Sequence, residues 1–142
     1  MTLAERFAAT FDGQGAMRTI GAQLAAIDEG SCVLELPYSD AVTQQHGFFH
    51  GGIIGMLADV AGGCACATMT PEGAQVLTVE YKINFLAPAA GVTLRATGRV
   101  IRAGRTLLIA AVDVATISAE GAIKQVAVAQ QTIMAVPPDR LA

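Results

Sequence analysis

Apolar residues recur at three- and four-residue spacing from Gly51 to about Thr68, at Ile53, Met56, Leu57, Val60, Cys64 and Ala67. That period predicts one long helix with these positions on one side. Gly52, Gly55, Asp59, Gly62 and Cys66 then share another side, nearly bare except for one carboxylate. Interior glycines weaken a free helix by about 1 kcal/mol each relative to Ala, so burial must hold this one. Two readings of the bare face stand together: close packing against a neighbouring element, or room for a ligand beside Asp59.

Elsewhere the period is two. Cys32, Leu34 and Leu36 alternate with Val33 and Glu35, and Leu77, Val79, Tyr81, Ile83 and Phe85 alternate with Thr78, Glu80, Lys82 and Asn84. Both patterns predict strands with one apolar face. With turns at Asp28-Glu29-Gly30, Ala87 to Gly91, Arg102 to Arg105 and Ser118 to Gly121, strands are expected over residues 21–27, 31–36, 77–85, 92–101, 106–117 and 122–134. A short amphipathic helix is expected over residues 3–11, ended by Asp12-Gly13-Gln14-Gly15. The class is α+β, an antiparallel sheet of about six strands wrapped around one long central helix.

Composition narrows the picture. At 142 residues a single domain over 1–142 is expected, with residues 1–16 as a short helix and loop and 135–142 as a tail. Hydrophobic residues make up 53% and charged ones 15%, yet no apolar run reaches the roughly 18 residues that span a bilayer. No membrane partner is expected, and the apolar surplus points to surface covered by other subunits. A net charge of −3 with nine scattered Lys and Arg leaves no clustered positive surface for nucleic acid. The N-terminus carries no cationic segment followed by an apolar run, so a cytoplasmic location is expected. Cys32, Cys64 and Cys66 supply neither a disulfide framework nor enough ligands for zinc; no metal and no cofactor are expected.

The chemistry-bearing residues cluster before and within the helix. His46 and His50 are the only histidines, and Asp59 is the only charged residue from Ala41 through Pro71. A carboxylate deprived of water is a stronger base, whereas its structural role would be to cap or to pair with an arginine such as Arg102 or Arg105. Gly51 and Gly52 open the helix, where unpaired N–H groups hold an oxyanion and the missing Cβ admits a carbonyl. His50 falls at the N-cap, in an orienting or capping role. His46 reads equally as an exposed loop residue or a pocket wall.

The run His50-Gly51-Gly52 followed by Leu57-Ala58-Asp59-Val60-Ala61, with Phe85-Leu86 and Pro88 after the third strand, resembles the hotdog-fold acyl-CoA thioesterases of the PaaI-like (phenylacetic acid degradation) family. The resemblance covers about residues 20–134. It implies a hotdog fold, with Asp59 as catalytic carboxylate, Gly51 as oxyanion donor, and the histidine pair at His46 and His50. It further implies Thr78 as a hydroxyl partner of the carboxylate or water. The family usually has Asn-Gly where Gln44-Gln45 stand; Gln44 keeps the amide on a longer arm and is a candidate for orienting water or substrate.

Gly51 and Asp59 are eight residues apart, about 12 Å along a helix, so one thioester carbonyl cannot touch both. If both act on one substrate, the site lies across the interface of a homodimer, which the resemblance extends to a homotetramer. The expected function is hydrolysis of a small aromatic or short- to medium-chain acyl-CoA, with Arg102, Arg105 and Lys124 as rim candidates for CoA phosphates. The alternatives are a non-catalytic acyl-CoA or small-acid binding module on the same fold, and a hotdog dehydratase or hydratase.

Overall fold

The computed structural model describes residues 1–141. The helices are α1 (Leu3–Asp12), α2 (Gly15–Ile20) and α3 (Gly51–Ala67). The strands are β1 (Gln23–Asp28), β2 (Ser31–Pro37), β3 (Gln75–Phe85), β4 (Thr93–Ala103), β5 (Leu107–Ile117) and β6 (Ile123–Val136). All pairings are antiparallel, in the order β1-β2-β4-β5-β6-β3. Short 3-10 turns lie at Asp40–Val42 and Pro138–Arg140. This is the hotdog arrangement, with α3 lying in the concave face of the sheet.

The β2 alternation is realised as read. Cys32, Leu34 and Leu36 are buried, with Leu94, Ala96, Val112 and Val114 beside them on the same sheet face. At the middle of the sheet Gly98 pairs with Cys32 and Val112. A Cβ placed there would lie 2.5 Å from the carbonyl oxygen of Ala61. Helix backbone rests directly on strand backbone at that point.

The helix α3 buries a different side from the one its apolar residues predict. Ile54, Gly55, Leu57, Ala58, Ala61, Gly62, Ala65 and Cys66 are buried, while Ile53, Met56, Val60, Cys64 and Ala67 are only half-buried. Small size rather than hydrophobicity selects the buried side, because a helix seated in a curved sheet approaches closest where side chains are smallest. The bare face is therefore filled by the sheet at Gly55 and Gly62, while Gly52 is exposed and Asp59 half-buried. The Phe85 ring lies 3.4 Å from where a Gly51 Cβ would be, and the Tyr81 hydroxyl 3.2 Å from that of Gly55.

Two boundaries also differ from expectation. The N-terminal segment is not a helix and loop over residues 1–16; Gly13 ends α1 and α2 follows at once, burying Met17 and closing on Gly21 at φ 81°. With six residues and no side-chain N-cap, α2 leaves almost no periodic trace. At the other end Ala135 and Val136 continue β6, opposite Val76 and Gln75, so the tail begins later than residue 135.

Strand β3 bears on the site most directly. It pairs with β6 on one side only and leaves its other edge open. Its register against β6 slips between Thr78 and Glu80, a bulge that inserts Val79. Tyr81 stands opposite Gln131, but Thr78 stands opposite Ile133, and both β6 residues are buried on the inner face. Strict alternation would have turned Val79 inward and Thr78 outward. The bulge reverses this, bringing Thr78 to the helix while Leu77 and Val79 stay exposed.

Candidate functional site

The loop before α3 is built by its own polar groups. Gln44 Oε1 accepts the N–H groups of His46 and Phe48, and the Gln44 N–H donates to the Phe48 carbonyl at 2.9 Å. Gly47 takes φ 79°, a left-handed conformation that favours glycine, and donates its N–H back to the Gln44 carbonyl. The side-chain Oε1 of Gln44 is thus turned into its own loop, which leaves only the amide N–H groups of that side chain for a substrate or water. The His46 side chain is exposed.

His50 is the N-cap of α3, and its Nδ1 accepts the Gly52 N–H at 2.9 Å. Capping uses the second amide of the helix and not the first. Among the described residues, no acceptor from the chain meets the Gly51 N–H. An unpaired N–H at the positive end of a helix dipole is a ready seat for a carbonyl oxygen acquiring negative charge.

Two turns further on, Asp59 is half-buried and makes no ion pair among the described residues; Arg102 and Arg105 are exposed. Its Oδ1 accepts Thr78 Oγ1–H at 2.7 Å, so the hydroxyl reaches the carboxylate within one chain. A second donor was not anticipated from the sequence. Gln131 Nε2 donates to the same Oδ1 at 3.0 Å and to the Asp59 backbone carbonyl at 3.3 Å. Its trace was present, since Ala127, Ala129, Gln131 and Ile133 form the inward row of β6 and Gln131 is the polar member.

Asp59 opens into a cleft of about 380 Å³ between α1, α3 and the start of β3, walled by Phe7, Val60, Cys64, Ala67 and Val76. The Cys64 and Cys32 thiols interact, which holds Cys64 below the usual thiol range and pushes Cys32 up. Burial alone pushes Cys66 up to about 11. The structure therefore brings together Asp59 and Thr78, and separately Gln44, His46, His50, Gly51 and Gly52 around the helix start. The two groups do not converge within one chain.

The sequence profile described as the thioesterase superfamily matches residues 46–120, from the loop through β5. The chain belongs to the thioesterase superfamily. Acyl-coenzyme A thioesterase PaaI of Escherichia coli is 30% identical over 98 residues, 68% of each chain. A protein of Saccharolobus solfataricus, named only in general terms as an esterase, is 37% identical over 87 residues, and the match spans 61% of each chain. Among solved structures, a thioesterase family protein from Silicibacter pomeroyi superposes with a TM-score of 0.92 at 37% identity, covering 96% of this chain and 99% of that one. Within the superfamily the chain is thus PaaI-like, and its fold and family are those of thioester hydrolases. Among the described residues, no helix is long and apolar enough to cross a membrane.

Proposed function

We propose that the chain hydrolyses small aromatic or short- to medium-chain acyl-CoA thioesters, with Asp59 as the catalytic carboxylate. The observation that carries this reading is the fixed Asp59 carboxylate in the wall of a cleft whose volume lies at the small end of small-molecule sites, roughly 300–1,000 Å³. The thioester carbonyl rests on the Gly51 N–H of a second copy. Asp59 takes a proton from water as the water oxygen attacks the carbonyl carbon, and the C–S bond then breaks to release CoA thiolate. Direct attack by the carboxylate, followed by hydrolysis of the anhydride, uses the same geometry.

The open edge of β3 supports the two-fold assembly that this mechanism needs. Leu77, Val79, Tyr81 and Phe85 are all 45–57% exposed on or beside that edge, and a long unpaired apolar strand left in water invites pairing. Pairing of two β3 edges antiparallel would set two α3 helices antiparallel and bring Gly51 of one toward Asp59 of the other. Association of two such dimers into a tetramer is compatible with the same site. His50, Gly52 and Gln44 then organise the helix start, and His46 and Thr78 border the substrate and the carboxylate.

Thiol release from a panel of aromatic and aliphatic acyl-CoAs, measured for wild type beside Asp59→Asn, tests the reading. Asn preserves the shape and the hydrogen-bonding positions, so the expected result is wild-type release and loss of at least about 10²-fold in the variant. Saturable acyl-CoA binding without release would favour a binding module instead.

A further inference from the structure

We propose that Gln131 is a positioning residue that assigns the two oxygens of Asp59 different tasks, holding Oδ1 and leaving Oδ2 as the atom that reacts. The inference rests on the thioesterase reading and goes beyond it by naming a residue on the last strand of the sheet.

Both donors that reach the carboxylate meet one oxygen, Thr78 Oγ1 at 2.7 Å and Gln131 Nε2 at 3.0 Å. The same Nε2 contacts the Asp59 backbone carbonyl at 3.3 Å. One amide therefore ties the carboxylate to the backbone of its own helix and limits rotation about its side chain. Among the described residues no donor meets Oδ2, and Asp59 lines the cleft. A base with one oxygen held and the other presented needs no reorientation when water arrives.

The rest of the Gln131 side chain shows what this arrangement requires. Gln131 is 2% exposed, and its Oε1 is buried without a hydrogen-bond partner. Buried acceptors are almost always paired. Turning the amide over would point Oε1 at the carboxylate, two acceptors face to face beside a negative charge. The orphaned oxygen follows from keeping the N–H groups on Asp59. Space for it comes from Gly62, where a Cβ would fall 1.6 Å from Oε1. A glycine in the middle of a helix, otherwise a weakening residue, is the condition for the amide to fit.

The titratable groups near Asp59 are Cys64 on the same helix and Arg6 from α1, both lining the cleft; the contacts from β3 and β6, Thr78 and Gln131, do not titrate.

Gln131→Met keeps length and volume and removes the donor. In steady-state thiol release across pH, the expected result is a kcat lowered about tenfold or more with KM within about threefold. A kcat within twofold of wild type would overturn the proposal, because a merely space-filling Gln131 predicts that result. Should Gln131→Met lack a cooperative melt, Gln131→Glu decides. Its carboxyl donates only when protonated, so activity should collapse as pH rises where wild type keeps it, and an unaltered profile overturns the role. Absence of thiol release from wild type on every acyl-CoA would defeat the thioesterase reading, and this proposal with it, before any variant is made. Turnover by wild type with indifferent variants defeats the positioning role alone.

Discussion

Replacing Gly98 by Ala perturbs the place where α3 and the sheet meet backbone to backbone. The added methyl would lie 2.5 Å from the Ala61 oxygen, 2.6 Å from its carbonyl carbon and 2.8 Å from the Gly62 nitrogen. None of these is the end of a side chain that can turn away. Ordinary contact begins near 3.4 Å, so the helix must retreat by about 0.9 Å, the difference of 3.4 and 2.5. Gaps of 0.5–1 Å forfeit roughly a quarter to a half of each dispersion contact, and overpacking of this kind typically costs about 1–3 kcal/mol. For a chain of this size the expected fall in Tm is about 3–9 °C. Calorimetry at fixed protein concentration reads it, with Gly63→Ala as the control. The Gly63 methyl would meet only Ile133 Cδ1 at 3.9 Å, and loss of a helical glycine should raise Tm slightly. Because Ala61 is two residues from Asp59, thiol release should fall in Gly98→Ala as well. A Gly98→Ala protein that melts within about 1 °C of wild type would refute the close-contact account of how α3 is seated.

His50→Ala removes the acceptor of the Gly52 N–H and should cost about 1 kcal/mol; a melt lowered by about 3 °C and restored by His50→Asn is expected, and an unchanged melt of the Ala variant would show that the cap contributes nothing. Iodoacetamide at mildly alkaline pH should modify Cys64 first, since it lines the cleft, is only half-buried and has its thiol held below the usual range by the neighbouring Cys32 thiol, while Cys66 is fully buried; peptide mapping that finds Cys66 modified ahead of it would contradict this. The Cys66 thiol ionises near 9.0 when free of the fold and about 11 when buried, so the unfolded chain gives up its proton first. Stability from this group is full below pH 9 and declines from there to about 11, and Cys66→Ala should flatten that part of a series of alkaline melts.

What was legible in the chain was whatever depends on repetition. The β2 alternation, the extent of α3 and the sequence of hairpins all follow from period, and the structure keeps them. The buried side of α3 was misread because the moment of a helix follows its large apolar residues, while a concave sheet selects its small ones. The inward turn of Thr78 was legible only through the family resemblance. Its own strand pattern placed it outside, and one inserted residue at Val79, invisible to a count of apolar positions, reversed the phase. Gln131 left a signal in the sequence, a polar residue in the inward row of β6. Its meaning was hidden until the fold set it beside Asp59, 72 positions earlier.

The order of strands has a further consequence for when the site comes into being as the chain is made. The helix that carries Asp59 is followed at once by β3, but the only sheet neighbour of β3 is β6, the last strand to be synthesised. Strand β3 has no sheet neighbour to hold Thr78 in register, and Gln131 does not exist, while the first half of the molecule emerges. A growing chain released early would carry Asp59 and Gly51 in sequence, yet without the strand that orders the carboxylate. Thioester chemistry is thereby deferred to the completed sheet, and a ribosome stalled before residue 131 displays a protein with its base unset.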